Sequence, residues 1–312
     1  MRYAIISDIH GNITALDAIL DDCDKQNIDI YLFLGDYYGE LSKMDDVISR
    51  LNKIENSYII KGNREKRLIE IKNENPIHLS GEQYAPVHWI MNDMRDDDFL
   101  YFKSLPDVVS FQVENINFYL AHAPDQHFGH GINDQISGRT FLDEFGKYYS
   151  NHDEYLAFVR TKLRNDQKFM LKLSELPEGV YLFCHYHTQW NDNIDGRILI
   201  NPGSCGWPLD FNTSAPYTIL DTCSGIQIEE RRIDYDLSIV LRTLEKSGIK
   251  EAMPFWYKLI LSELKFARNE LLLFIEFIAD YAKKQNDETY PYTDQLWNEA
   301  ATLYSDLYLT HI

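Results

Sequence analysis

Short apolar, β-branched or aromatic runs bounded by polar residues recur along most of the chain, at 3–7, 30–34, 58–60, 108–113, 116–121, 180–184, 198–200, 217–220 and 226–229. Runs of that length with polar flanks predict strands. Glu114-Asn115, between two of them, predicts a tight hairpin. Helical spacing alternates with the early strands. Asn12 can cap a helix reaching about Lys25, with Ile13, Leu16, Ile19 and Leu20 on one face, and a second helix is expected over 44–53. The opening order β-α-β-α-β predicts right-handed parallel crossovers, and the later hairpins make the sheets mixed.

Residues 122–153 lack periodicity and are rich in Gly, His and Asp, and a loop this long generally serves a function. One helix is expected over 154–174, ended by Leu176-Pro177. Strands stop after about residue 232. Helices are then expected over 234–246, ended at Ser247-Gly248, over 255–284 from a start at Pro254, and over 293–309. The chain therefore divides into 1–232, with a loop-and-helix insertion at 122–178, and a helical C-terminal extension over 233–312. The segment 255–281 is apolar on more than one face around 271–278, while Glu263, Arg268, Glu270 and Glu276 argue against a membrane span. Such a helix needs burial on two sides, against its own chain or in a homodimer; sedimentation at micromolar concentration separates the two.

Composition narrows the partners. A chain of 312 residues that is 45% hydrophobic can bury a substantial core. Its formal net charge of −19, without a Lys/Arg cluster, repels polyanions, so no nucleic-acid polymer is expected. Small anionic substrates stay open, because bound metal ions reverse the sign of the field locally. The 4 cysteines form no CxxC pair, which predicts reduced thiols. The apolar stretch in MRYAIISDIHGN is too short for a signal peptide, and no run is long enough to cross a bilayer, so a cytoplasmic location is expected.

The chemistry lies where strands end. YAIIS runs into Asp8 and His10, YLFLG into Asp36, YIIKG into Asn63, FYLA into His122, and VYLFC into His185 and His187. Sites in open α/β sheets form outside the carboxyl ends of strands, so residues far apart in sequence can gather on one edge. Each alone has a plain explanation, since Asp and Asn favour turns and a single His is often a packed one; the succession is hard to leave to turn chemistry. Imidazoles with carboxylates and an amide oxygen suit Mn or Fe first, with Zn, Co or Ni as alternatives, and not Ca or Mg. The donors suffice for two ions, and Asp36 sits centrally enough to bridge them.

The motifs Asp8-Ile9-His10-Gly11-Asn12, Gly35-Asp36, Gly62-Asn63-Arg64-Glu65, Ala121-His122 and His185-Tyr186-His187 resemble the calcineurin-like metallophosphoesterases, and Asn201-Pro202-Gly203-Ser204 resembles their bacterial and archaeal phosphodiesterase-like and diadenosine polyphosphate hydrolase-like branch. The resemblance spans 1–232 and implies a four-layer α-β-β-α sandwich of two mixed sheets. It implies that Asp8, His10 and His187 hold one divalent or trivalent ion, that Asn63, His122 and His185 hold the second, that Asp36 bridges them, and that a hydroxide between them attacks phosphorus. Arg64, Asp36 and His122 are the expected catalytic residues, and Asn12, Arg64, His127 and His130 the expected substrate contacts; Asn201 and Ser204 are expected to shape the turn. Many relatives carry His where Arg64 stands. Arg cannot donate a proton near neutrality but can bind a phosphate oxygen, unless it only pairs with Glu65 on the surface. With no evident acid, substrates with good leaving groups are favoured: a small nucleotide-like phosphodiester or anhydride. The alternatives are a protein or small-molecule phosphomonoesterase and a scaffold that keeps the fold without catalysis. Tyr37 and Tyr38 are expected in the core.

Overall fold

The computed structural model describes residues 1–41, 44–73, 81–129, 152–287, 289–310 and 312. In one sheet β1 (Arg2–Ile6), β2 (Ile30–Phe33) and β3 (Ser57–Ile59) run parallel, β9 (Ala215–Asp221) lies antiparallel beside β1, and β10 (Gln227–Ile233) lies antiparallel beside β9 at the edge. The other is ordered β4-β5-β6-β8-β7, where β4 is Val108–Val113, β5 Ile116–Ala121, β6 Gly179–Leu182, β7 Gln189–Ile194 and β8 Arg197–Pro202. Here β5, β6 and β8 run parallel, and the edge strands are antiparallel to their neighbours. Glu114 and Asn115 take left-handed angles (φ 49° and 67°) and close the β4–β5 hairpin, as the sequence predicts.

Alternation places the layers. Tyr3 and Ile5 of β1 meet Phe118 and Leu120 of β5 and Val180 and Leu182 of β6 between the sheets, with the Tyr3 and Phe118 rings 5.0 Å apart. Ala4 and Ile6 point the other way, onto α1 (Ile13–Gln26) and α2 (Met44–Leu51). Tyr181 and Leu199 point outward onto α7 (His152–Asn165) and α8 (Gln167–Glu175). Strands buried on both faces read as continuous apolar runs, which is why YAII and VYLF carry no polar alternation. Each fully buried Leu, Ile or Phe contributes about 2 kcal/mol. The result is the four-layer α-β-β-α sandwich.

Several boundaries differ from expectation. The helix expected over 154–174 is two, because Asp166 leaves helical geometry and its carboxylate accepts from the Lys168 and Phe169 amides, capping α8. The helix expected over 255–284 is also two, α11 (Pro254–Phe266) and α12 (Glu270–Lys284). Ala267 turns left-handed (φ 48°), and the Asn269 side chain accepts from Leu272 N at 3.0 Å to start α12. The turn lets α12 fold back onto α11 and α13 (Asp294–Tyr308), burying Leu273, Phe274 and Ile278 against Trp297, Ala300 and Tyr304 within the chain. Three helices, α3 (Asn63–Asn73), α4 (Ala85–Asp93) and α5 (Asp96–Ser104), and the polar strand β7 add elements the apolar runs do not reveal. Within 122–153, residues Asp125–Phe128 form one helical turn, α6. After β10 come α9 (Leu237–Lys246), α10 (Ile249–Ala252) and α11 to α13. Among the described residues no helix is long and apolar enough to cross a membrane.

Candidate metal centre

The parallel strands β1, β2 and β3 end on one edge, and the loops leaving them are stitched together by backbone hydrogen bonds. Asp8 N donates to Gly35 O at 3.0 Å, His10 N to Asp36 O at 3.1 Å and Gly11 N to Tyr37 O at 3.0 Å. The loop after β8 closes on the same place: Cys205 N donates to Ser7 O, Gly206 N to Asp8 O, and Ser204 Oγ to Asp8 O. Two glycines permit this crowding. A Cβ on Gly62 would sit 2.1 Å from Asp36 Oδ1, and one on Gly206 would sit 1.8 Å from Ile9 O. From the second sheet, His122 follows β5, and Cys184 N donates to His122 O at 2.8 Å.

The donors converge in two groups. In one, Asp8 Oδ1 lies 3.0 Å from His187 Nε2 and 3.5 Å from His10 Nε2, and the two Nε2 atoms are 3.1 Å apart. In the other, Asp36 Oδ2 is 3.5 Å from His122 Nε2, and Asn63 Oδ1 is 2.7 Å from His122 Nε2 and 2.8 Å from His185 Nδ1. Ligand atoms of Asp8, Asp36 and His122 all lie within 4.8 Å of one another, so the groups adjoin. All seven strand-end residues singled out by the sequence are therefore brought together.

The hydrogen bonds around these rings fit a cation. His122 Nδ1 donates to Leu34 O at 2.8 Å and His187 Nδ1 to Trp207 O at 2.6 Å. With the Nδ1 proton spent on the carbonyl, each Nε2 is the atom whose lone pair can turn into the site. The Asn63 oxygen thus faces a lone pair at 2.7 Å. Turning the amide around would make its nitrogen donate to His122, His185 and Asp36; a cation at the shared point would satisfy the same atoms with the oxygen inward. Asp8 Oδ1 is buried with no hydrogen-bond partner, an arrangement rare in proteins unless something else fills the role. Burial, reinforced by the nearby Arg64 charge, pushes His10 down to about 4, and burial lowers His185. Both rings are therefore neutral donors at pH 7.

Around the donors the structure separates roles that look alike in sequence. Glu65 does not pair with Arg64. Its carboxylate accepts from Asp36 N at 2.9 Å, Tyr37 N at 2.9 Å and Gly62 N at 2.8 Å, clamping the loops after β2 and β3. Arg64 instead pairs with the buried Glu40, Nη1 to Oε2 at 3.0 Å, and lies over the Trp207 ring at 5.7 Å. Its backbone N donates to Asp36 Oδ1 at 2.8 Å. Asn12 is a structural residue here: its oxygen caps α1 through Ala15 N, and its amide nitrogen donates to Gly206 O and Tyr235 Oη. His127 Nε2 donates to Leu182 O at 3.0 Å among Phe128, Tyr181 and Phe183, and burial pushes the ring down to about 4. It is a packed, neutral ring with that nitrogen turned to the backbone. His130 lies outside the described residues. Tyr37 and Tyr38 are buried, donating to Ile60 O and Arg64 O, and Asn201 and Ser204 hold the turn through Gly203 N and Trp207 N. Sequence reasoning missed Glu40, Trp207 and the clamp by Glu65, whose partners are backbone amides or distant side chains.

Two face-to-face mixed sheets with a His, Asp and Asn rim at the strand ends define the metallophosphoesterase class. A sequence model of the calcineurin-like phosphoesterase superfamily domain matches residues 1–225, and the chain belongs to this family, a family of phosphoester hydrolases that typically binds divalent metals. A protein of uncharacterised function from Methanocaldococcus jannaschii is 25% identical over 256 residues, 81% of this chain and 94% of that protein. A metallophosphoesterase from Sphaerobacter thermophilus has a similar fold, with a TM-score of 0.57 and 18% identity over 86% of this chain and 100% of that one. A hypothetical protein from Pyrococcus horikoshii also scores 0.57, with 18% identity over 81% of this chain and 96% of its own.

Proposed function

We propose that this phosphoester hydrolase holds two transition-metal ions, Mn or Fe, and cleaves a small nucleotide-like phosphodiester or phosphoanhydride. The observation that carries the proposal is the pair of adjoining donor groups, with ligand atoms of Asp8, Asp36 and His122 within 4.8 Å of one another and the buried Asp8 Oδ1 without a hydrogen-bond partner. Asp8, His10 and His187 form the first ligand set and Asn63, His122 and His185 the second, with Asp36 between them. Bound there, the ions supply positive charge to the phosphoryl oxygens and acidify a water toward neutral pH. The chain's own residues do the rest. Leu34 O and Trp207 O fix the tautomers of His122 and His187. Glu65 holds the loops that carry Asp36 and Asn63. Arg64, steadied by Glu40, presents its guanidinium to the phosphate.

Among the described residues the leaving group departs without an evident acid, because Arg64 does not give up a proton and His127 is turned to a carbonyl. That supports anhydrides and aryl esters over serine phosphates. A cavity of about 550 Å³ beside Glu40, lined by Tyr38, Leu41, Met44, Trp89 and Lys246, offers room for a base-sized leaving group. Free thiols throughout, three of them buried, support a cytoplasmic location. The test is a rate series across leaving-group pKa with metal-loaded protein. A steep fall with rising pKa is expected; equal rates for aryl phosphodiesters and phosphoserine peptides would overturn the substrate assignment.

A further inference from the structure

The C-terminal helices reach the metal centre at one residue. Trp207, 5% exposed in the loop after β8, touches four groups of consequence. Its carbonyl accepts from His187 Nδ1 at 2.6 Å, and its ring meets the His10 ring edge-on at 5.5 Å. The Arg64 guanidinium lies 5.7 Å from its ring centroid. Its Nε1–H donates to Glu263 Oε2 at 2.9 Å. One residue thus sets the tautomer of one imidazole, borders another and faces the cation beside them. Ser204 Oγ holds its backbone N at 2.9 Å; the polar contact that holds the ring is Glu263.

Glu263 lies on α11, beyond the 1–225 span of the family domain, and is 5% exposed. Its other oxygen accepts from Leu271 N at 2.9 Å, in the first turn of α12. The carboxylate is therefore fixed between two N–H donors, and both of its oxygens accept. An amide of the same shape cannot do this: whichever way it turns, its NH2 group opposes one donor. The apolar surroundings of Trp207, from Leu41, Val240, Leu244, Met253, Ile260 and Leu264, hold the indole in a packed wall that is itself largely C-terminal helix.

We propose that Glu263 is a positioning residue for the metal centre. It acts through the Trp207 indole on His187, His10 and Arg64, so that the C-terminal helices complete the site rather than merely brace the sheets. The proposal rests on the metal-centre reading above, and its test includes a readout independent of substrate turnover. Hydrogen-bond partners that orient a metal-ligating imidazole affect metal affinity or rate by about 10- to 100-fold when removed.

The experiment compares Glu263→Gln, Trp207→Phe and the double variant with Glu270→Gln in the full chain. Glu270 is an equally buried carboxylate of the same helices. It binds Ser262 Oγ, Arg268 and Tyr304 Oη, and none of its hydrogen bonds goes to Trp207. Direct titration of metal-free protein with Mn2+ measures affinity, and aryl phosphodiester hydrolysis at saturating metal gives kcat and KM. Glu263→Gln and Trp207→Phe are each expected to weaken metal binding by about 10-fold and to lower kcat more than KM changes. The double variant should lose little beyond either single one. Glu270→Gln should lower Tm while leaving metal affinity and kcat near those of the parent. Parent-like metal affinity in Glu263→Gln, equal metal-affinity losses in Glu263→Gln and Glu270→Gln, or additive losses in the double variant would each overturn the proposal. If Glu263→Gln does not fold, Trp207→Phe, which keeps the carbonyl bonded to His187, decides alone. Weaker metal binding in a protein that hydrolyses no diester would leave this inference standing and remove the functional one.

Discussion

At the metal rim, Asp8, His10, Asp36, His185 and His187 all hold left-handed backbone angles, with φ of 52°, 50°, 54°, 71° and 57°. Inside α11, α12 and α13 no residue does. The left-handed region costs a non-glycine residue roughly 1 kcal/mol or more, so the rim concentrates strain that the helices avoid. Buried polar groups differ in the same sense. Glu270 has both oxygens bonded, from Tyr304 Oη at 2.6 Å and from Ser262 Oγ and Arg268 Nε at 2.9 Å, while Asp8 Oδ1 at the rim has no hydrogen-bond partner. The Glu270 carboxylate is satisfied by protein atoms; the Asp8 carboxylate is held by its neighbours in a state that a cation would complete. The helices and sheets supply the stability that offsets the rim.

The largest expected effect follows from removing a rim carboxylate. Asp8→Asn keeps the volume, and Asn tolerates the left-handed angle. It should lower the hydrolytic rate by about 10³-fold or more, since a metal centre contributes several kcal/mol to the transition state. The metal-free protein should unfold within about 1 kcal/mol of the parent, while the rise of Tm on adding metal shrinks or vanishes. A metal-free protein destabilised as strongly as by a core deletion would show that the rim is not the strained region.

A deletion in the helices should do the reverse. Phe274 is fully buried against Phe255, Trp297 and Tyr304. Phe274→Ala should cost about 3–5 kcal/mol in urea unfolding, with kcat and metal affinity unchanged well below the midpoint. A changed metal affinity in this variant would mean that packing in the helices reaches the rim by routes other than Trp207.

Glu65 is the rim's own brace and gives a smaller effect. With three backbone N–H groups on its two oxygens, Glu65→Gln must turn its NH2 group toward at least one of them. The expected loss is about 2 kcal/mol in the metal-free protein, with weaker metal binding, because Asp36 and Asn63 sit on the loops it joins. Full stability with parent-like metal affinity would show that the clamp is dispensable.

How much of this was legible in the sequence follows the range of the interactions. The sandwich was legible because strands buried on both faces write themselves as apolar runs, and the rim residues because each follows such a run. Strand β7, QWNDNI, was not, since its polar residues match an edge strand and its Asp195-Gly196 turn was the available signal. The helix breaks at Asp166 and Ala267 are local capping events inside long helical patterns; Asp166 and Asn269 were readable caps, but nothing in an alanine announces a left-handed turn. Glu65 was visible only as a neighbour of Arg64, because its partners are amides of two other loops. Glu263 stands 56 residues from Trp207 and was visible in the sequence only as one of the charges that argue against a membrane span. Contacts between side chains distant in sequence leave no periodic trace, and the residues that support a site are mostly of that kind.

His127 tests where the packed interior stops and the rim begins. It lies just past His122, yet its Nε2 is bonded to Leu182 O and its ring packs on Phe128, Tyr181 and Phe183. Burial lowers its pKa to about 4, against about 6.5 for an ordinary histidine. Between those values the unfolded chain binds more protons than the folded one. The contribution of the neutral ring to stability is therefore fully present above about pH 6.5 and is lost as pH falls toward 4. The ring is partly exposed, which limits the effect to about 2 kcal/mol at most. His127→Gln keeps an N–H donor for Leu182 O and removes the titration. Urea midpoints of the parent should fall more steeply than those of His127→Gln between pH 6.5 and 4 and run parallel above. Parallel curves over the whole range would place His127 in solvent-like surroundings, free to turn toward the phosphate, and would make it a candidate acid for the leaving group.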